Sequence, residues 1–227
     1  MPMVERKQVI PGDVIARGNY QFGNYVEKRG DEYVALRVGL AEISPEEIKL
    51  NPLTGPYLPR PEDQVIGKVV DINGFGWVVD INSCFEGFLP ASFVFGREFS
   101  PATHDLSSKF KIGDVIGARI ESFDRSRDPQ LSIRGEGYGK IPRGEITKIS
   151  PTKVPRLIGR RGAMINLISE RTGCDVQVGQ NGVIVVVGPP EGIVKTANVI
   201  KMIEQEAHAA DLMSRVEEYL GGSASAA

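Results

Sequence analysis

Between Asn51 and Pro61 the chain reads NPLTGPYLPRP, with four prolines in eleven residues. Proline has no backbone N–H to donate and fixes its own φ. Such a stretch therefore holds neither a helix nor a central strand, and the chain before it must close on itself. A second seam, GEGYGKIPRG from Gly135 to Gly144, has four glycines and one proline. Together the seams divide the 227 residues into segments of about 55, 75 and 85 residues. The expected domains are residues 1–60, 61–136 and 137–220, with 221–227 (GGSASAA) as a disordered tail.

The first segment reads as β. DVIARG, NYVEKRG and EYVALRVGLAEI are short apolar runs with turn glycines and partial alternation. The middle segment reads as five strands: Val65–Asn73, Gly76–Asn82, Phe85–Leu89, Asp114–Asp124 and Gln130–Arg134. One long irregular connection separates the third from the fourth. Five antiparallel strands with a single long connection suggest an OB-type barrel. A strand-opening device recurs at Gly12-Asp13-Val14-Ile15 and Gly113-Asp114-Val115-Ile116, with Gln64-Val65-Ile66-Gly67 as a looser relative. In each, a turn residue is followed by a β-branched pair.

The third segment alternates in type. Glu145–Ile149 is a short strand, and Val154–Ile158 is a helical turn or two. Gly162–Thr172 is a helix with Ile165 and Ile168 on one face and Gly173 as its cap. Cys174, Val176 and Val178 alternate as a half-buried strand does, and Val183–Val187 is a continuous apolar strand. Pro190–Leu220 reads as one helix with Ile193, Ala197, Ile200, Ile203 and Ala207 on its buried face. The order is β-α-α-β-β-α, so the fold class is multidomain: an all-β N-terminal part and an α+β C-terminal part.

Charge narrows the function. The net charge is −2, which argues against a protein coated in basic residues. Yet from Arg134 to Arg161 eight basic residues face only Glu136 and Glu145, a net +6 over 28 positions. They are Arg134, Lys140, Arg143, Lys148, Lys153, Arg156, Arg160 and Arg161. From Met202 to Leu220 five acids stand against Arg215 alone. No apolar run approaches the roughly 18 residues of a membrane span, and the N-terminus lacks a secretory h-region. A cytoplasmic protein without membrane contact is expected. The two cysteines, Cys84 and Cys174, form no Cys-x-x-Cys pair, so a zinc ribbon is excluded and both are expected as buried thiols.

Within the basic stripe lies Gly159-Arg160-Arg161-Gly162. With 26 glycines in the chain, roughly three such G-x-x-G spacings arise by chance, so the context must decide. Two glycines let a backbone phosphate approach closely, and the helix that opens at Gly162 offers free N–H groups. The arginines supply the charge. The bland reading is a rigid turn that happens to carry two arginines. A second match, Gly179-Gln180-Asn181-Gly182, reads as a hairpin loop between two strands.

The third segment resembles a K-homology (KH) RNA-binding domain of the single-strand-binding type. The resemblance is carried by Val154-Pro155, Leu157-Ile158-Gly159, Gly162, Ile165, Ile168, Thr172-Gly173, Val176, Gly182 and Gly188. The middle segment resembles an S1-type OB domain through Gly67-Lys68-Val69-Val70, Gly74-Phe75-Gly76-Trp77-Val78, Glu86-Gly87-Phe88-Leu89, Gly113–Ile116, Asp124 and Leu131-Ser132-Ile133-Arg134. One departure is Pro90, at a position where many such domains carry histidine. The whole arrangement, with VGQNGVIVVVG (Val178–Gly188) and IEQEAH (Ile203–His208), resembles the S1–KH cap subunits of the archaeal exosome.

That resemblance implies binding of single-stranded RNA. The KH contacts would come from Gly159, Arg160, Arg161 and Gly162, with Lys153 and Arg156 beside them and Ile158 and Ile165 in the base groove. On the barrel it points to Lys68, Phe75, Trp77, Phe88 and Arg134, the aromatics for stacking and the cations for phosphate. Alternation places Phe75 and Trp77 on one side of their strand. As partners it implies a hexameric ring of phosphorolytic, RNase PH-like subunits carrying three cap copies, with the N-terminal domain as an assembly contact.

No enzyme is expected, and no cofactor or metal. His104 and His208 have no cysteine or histidine at ligand spacing. Asp124 and Asp128 flank a turn, where aspartate serves local hydrogen bonding. Two other readings are a structural adaptor of the ring with little RNA contact and a free-standing S1–KH RNA-binding protein.

Overall fold

A computed structural model describes residues 5–96, 99–100, 105–124, 126–207 and 211–222. His104 and His208 lie outside these residues. The chain forms two compact units, residues 1–55 and 56–227.

The first unit is all β, as its turn glycines and short apolar runs require. Its strands are β1 (Glu5–Val9), β2 (Val14–Arg17), β3 (Gln21–Phe22), β4 (Val26–Arg29), β5 (Glu32–Ala35), β6 (Gly39–Ile43) and β7 (Glu47–Pro52). They make one sheet of order β1-β6-β7-β3 and another of order β2-β5-β4. Val9, Ile15, Val26, Tyr33, Ala41, Ile48 and Leu50 fill the core. Tyr33 is fully buried because its hydroxyl is satisfied twice: it donates to the Tyr20 carbonyl at 2.9 Å and accepts the Tyr20 N–H at 3.0 Å. Strand β7 runs two residues, Asn51 and Pro52, into the proline seam. Pro52 is tolerated there because β3 pairs only with Glu47 and Ile48, which leaves that edge of β7 free.

In the second unit the barrel strands are β8 (Gln64–Asn73), β9 (Gly76–Asp80), β10 (Glu86–Pro90), β11 (Val115–Ser122) and β12 (Gln130–Ser132). A short helix, α1 (Ala91–Phe95), follows β10. The order is β12-β10-β9-β8-β11, and the β11–β12 pairing closes the ring. This is the five-stranded OB-type barrel expected. The strand-opening echo is a real turn. Asp13 and Asp114 each donate N–H to the carbonyl three residues back, and each carboxylate accepts that residue's N–H in return, at 3.0 and 2.9 Å. Gly12 and Gly113 supply the positive φ. Before β8, Arg60-Pro61-Glu62-Asp63 makes the same turn with Glu62 at φ 71° in the glycine place.

The second seam is structured. Strand β13 (Gly139–Lys140) adds to the edge of β11, and Ile141 is buried behind it. Then come β14 (Glu145–Lys148), α2 (Val154–Ile158), α3 (Ala163–Thr172), β15 (Asp175–Val178), β16 (Val183–Val187), α4 (Pro190–Glu206) and α5 (Leu212–Gly222). The sheet is antiparallel, of order β14-β16-β15. Ile168, Ile184, Val186, Ile200, Ile203 and Val216 form its core with the helices.

Four expectations need correction here. The single helix over Pro190–Leu220 is two helices, and α5 packs Leu212, Val216 and Leu220 into the same core at i, i+4 spacing. The buried face of α4 is Gly192, Thr196, Val199, Ile200 and Ile203, so Ile193 and Ala197 sit at its margin. Helix α5 also includes Gly221 and Gly222, which were expected in the tail. Cys174 is buried, but Cys84 is exposed, because it sits in the turn between β9 and β10. No helix among the described residues is long and apolar enough to cross a membrane.

Candidate nucleic-acid interface

Helix α2 stops at Gly159, whose φ of 75° and ψ of 179° turn the chain sharply. A side chain at that position forces its surroundings to shift: an added Cβ would lie 2.8 Å from the N and Cβ of Met164. Arg161 adopts left-handed φ 53°, ψ 32°, and Gly162 follows at φ 81°. A left-handed arginine is strained. Helix α3 then starts with no side-chain cap; its first N–H, that of Ala163, donates to the Arg160 carbonyl, and a ligand's acceptor would meet the N–H groups after it. The side chains of Arg156, Arg160 and Arg161 are exposed and make no hydrogen bond or ion pair among the described residues. Ile158, Ile165 and Val176 are half-buried at the margin of the core beside them.

The rest of the basic stripe is partly committed to the fold. The Lys153 ammonium donates to the Glu204 carbonyl at 2.5 Å, at the C-terminal end of α4, where a cation also complements the helix dipole. Lys148 donates to Asn82 at 2.8 Å, and Lys140 pairs with Asp114 at 2.8 Å. The hydrogen bond from the Lys111 N–H, and then the Lys140 ammonium, hold the Asp114 carboxyl below the ordinary carboxylate range.

On the barrel, the predicted residues separate. Phe75 is 72% exposed and Lys68 is exposed. Phe88 is half-buried, with its ring against Gly76. Trp77 is 0% exposed and its indole N–H donates to the Phe110 carbonyl at 3.0 Å. It is core, and no base can stack on it. The alternation expected between Phe75 and Trp77 fails because Phe75 is in the β8–β9 turn, where its N–H donates to the Asn73 side chain. Arg134 is exposed and its guanidinium lies 4.7 Å over the ring of Phe93. Phe93 was not singled out from the sequence, because its segment looks irregular. Asp124 has the local role expected: its carboxylate accepts the Ser126 N–H at 2.9 Å and hydroxyl at 2.8 Å.

The second G-x-x-G does more than join two strands. Asn181 is 0% exposed. Its amide donates to the carbonyls of Ile66 at 2.7 Å and Ile81 at 2.8 Å, and its oxygen accepts the Ile66 N–H at 3.3 Å. Gln180 and Gln64 exchange two hydrogen bonds, at 2.7 and 2.9 Å. Ile66, Ile141, Val183 and Val185 make an apolar cluster alongside. The loop thus bolts the α+β module to the barrel.

The barrel and this module agree with sequence profiles of two domain families: the S1 RNA binding domain matches residues 58–134 and the KH domain matches 144–205. Over 217 residues the chain is 45% identical to the exosome complex component Rrp4 of Nitrosopumilus maritimus, covering 95% of this chain and 96% of that one. The chain belongs to the Rrp4 family of exosome components. Rrp4 of Methanothermobacter thermautotrophicus is 41% identical over 216 residues, covering 95% of this chain and 68% of the relative. A crystal structure described as that of an exosome complex RNA-binding protein superposes with a TM-score of 0.69 at 38% identity, over 75% of this chain and 98% of that one. As a member of the Rrp4 family, the protein is an exosome component with S1 and KH RNA-binding domains. Its KH match contains the Gly159–Gly162 loop, and its S1 match ends on Arg134.

Proposed function

We propose that this Rrp4-family protein is a noncatalytic cytoplasmic cap subunit that binds single-stranded RNA and guides it into a phosphorolytic 3′-to-5′ exoribonuclease ring. The observation that carries the reading is the Gly159–Gly162 loop. There a close-approach backbone, an uncapped helix start and three exposed arginines without a protein partner converge. Such a loop clamps a sugar-phosphate backbone, and the half-buried Ile158, Ile165 and Val176 offer an apolar floor for bases. The first unit, with Ile10, Phe22, Leu36 and Val38 exposed, is the part suited to protein contact. By family resemblance the partners are RNase PH-like ring subunits, with three cap copies on a hexamer.

The test is Arg160→Glu with Arg161→Glu in the full chain. Anisotropy of a labelled oligoadenylate should show affinity down by at least tenfold. The salt slope should shrink by about 1.4, for two phosphate contacts on a single strand. Stimulation of RNA decay by a reconstituted ring should fall in parallel. Unchanged binding and decay would leave the adaptor reading in its place.

A further inference from the structure

The barrel treats its phenylalanines in two ways. Phe110 is part of the apolar core, and Phe95, Phe99 and Phe123 pack against it; Phe85 lies edge-on to Phe123 at 4.9 Å. Phe75, Phe88 and Phe93 belong to neither group among the described residues. These three rings lie on adjoining segments. The Phe75 carbonyl accepts the Ala91 N–H at 2.8 Å, which ties the β8–β9 turn to the start of α1. The Phe88 ring comes within 3.1 Å of where a Cβ on Gly76 would stand. In α1, Ala91, Val94 and Phe95 pack on the core, which leaves Ser92 and Phe93 on the outer side of the helix.

Arg134 follows two residues after β12. Its backbone N–H donates to the Ser132 hydroxyl at 3.3 Å, and its guanidinium lies over Phe93 at 4.7 Å from the ring centroid. That side chain makes no hydrogen bond or ion pair among the described residues, so all five of its N–H donors remain available. A guanidinium is planar and weakly hydrated, and it stacks on arenes and on bases alike. A ring beneath it restricts its rotamers before any ligand arrives, so less freedom is lost on binding.

We propose that Phe93 and Arg134 form a composite stacking platform for a nucleobase of single-stranded RNA. The base lies on the outer face of the guanidinium, and the guanidinium edge remains free for an adjacent phosphate. This assigns a binding role to Phe93 and gives Arg134 a planar role rather than a purely ionic one. The inference rests on the RNA-binding reading proposed above.

The two roles of Arg134 respond differently to substitution. A phosphate contact needs only charge, so lysine would serve. A platform needs the plane and the ring beneath it. The full chain, as wild type, Phe93→Leu, Arg134→Lys and the double variant, is titrated against an oligoadenylate of about ten nucleotides carrying 2-aminopurine. Each single variant should lose affinity on the order of tenfold, in line with one lost stacking interaction. The double variant should lose little more than either single one, because both break the same platform. The salt slope of Arg134→Lys should match wild type, and quenching of 2-aminopurine should fall in all three variants. If wild type binds and Arg134→Lys binds equally well, the platform is wrong and the RNA-binding reading stands. Fully multiplicative effects in the double variant would also overturn it. If wild type does not bind the oligonucleotide, the RNA-binding reading fails and the platform fails with it. Matching thermal melts confirm that the variants are folded.

Discussion

Replacing Asn181 with alanine should loosen the joint between the barrel and the KH domain. The wild-type amide is fully buried and makes three hydrogen bonds, two donated to the Ile66 and Ile81 carbonyls and one accepted from the Ile66 N–H. Removing it deletes three bonds worth about 1 kcal/mol each and leaves their backbone partners unsatisfied, so the loss should be about 3 kcal/mol. In a unit of this size, each kcal/mol corresponds to roughly 2–4 °C in Tm, so the melting temperature should fall by about 6–12 °C. Asn181→Asp should be worse than alanine, because a buried carboxylate would face two carbonyl oxygens. Lys148→Ala, which removes an exposed bond to Asn82, should cost about 0.5 kcal/mol or less and serves as the control. The assay is calorimetry with urea titration of the full chain. A loss below about 1 kcal/mol for Asn181→Ala, or equal losses for alanine and aspartate, would refute the claim that this side chain bolts the two modules together.

Gly159→Ala should destabilise the KH domain by about 2 kcal/mol, from left-handed strain and crowding against Met164, and a urea midpoint close to wild type would contradict that geometry. Asp63 accepts the Tyr57 hydroxyl at 2.7 Å, and burial raises its carboxyl pKa. A raised folded pKa means its contribution is present at low pH and is lost as pH rises from about 4 through the folded value. Asp63→Asn keeps an acceptor for Tyr57 and removes the ionisation, so the variant's Tm relative to wild type should climb between acid and neutral pH. A difference that is flat with pH, or that falls, would reverse the assignment.

The barrel was legible in the sequence because turn glycines and aspartates punctuate it and its strands alternate. Its long-range bonds were not. Asn181 reads as a loop residue, since its partner Ile66 stands 115 positions away. The two-helix end of the chain was hidden because no proline marks the break; its signal is a phase shift, since Leu212, Val216 and Leu220 repeat at i, i+4 but would lie opposite Ile200 and Ile203 on one continuous helix. Trp77 was misplaced because alternation was counted from Phe75, a turn residue. The Gly159–Gly162 loop was found, but its local commitments were not: Lys153 is held by Glu204, while Arg156, Arg160 and Arg161 stay unpaired among the described residues. Phe93 gave no periodic signal from a five-residue helix.

In the function proposed here, RNA runs over the KH loop and the barrel's aromatic face. The measurement that meets it most directly is photo-crosslinking of 5-iodouridine RNA to the full chain, with the attachment sites mapped by mass spectrometry. Crosslinks are expected in peptides that contain Gly159–Ile165 and in those that contain Phe75, Phe88 or Phe93. Crosslinks confined to residues 5–55, or none on either surface from an RNA that binds, would contradict it.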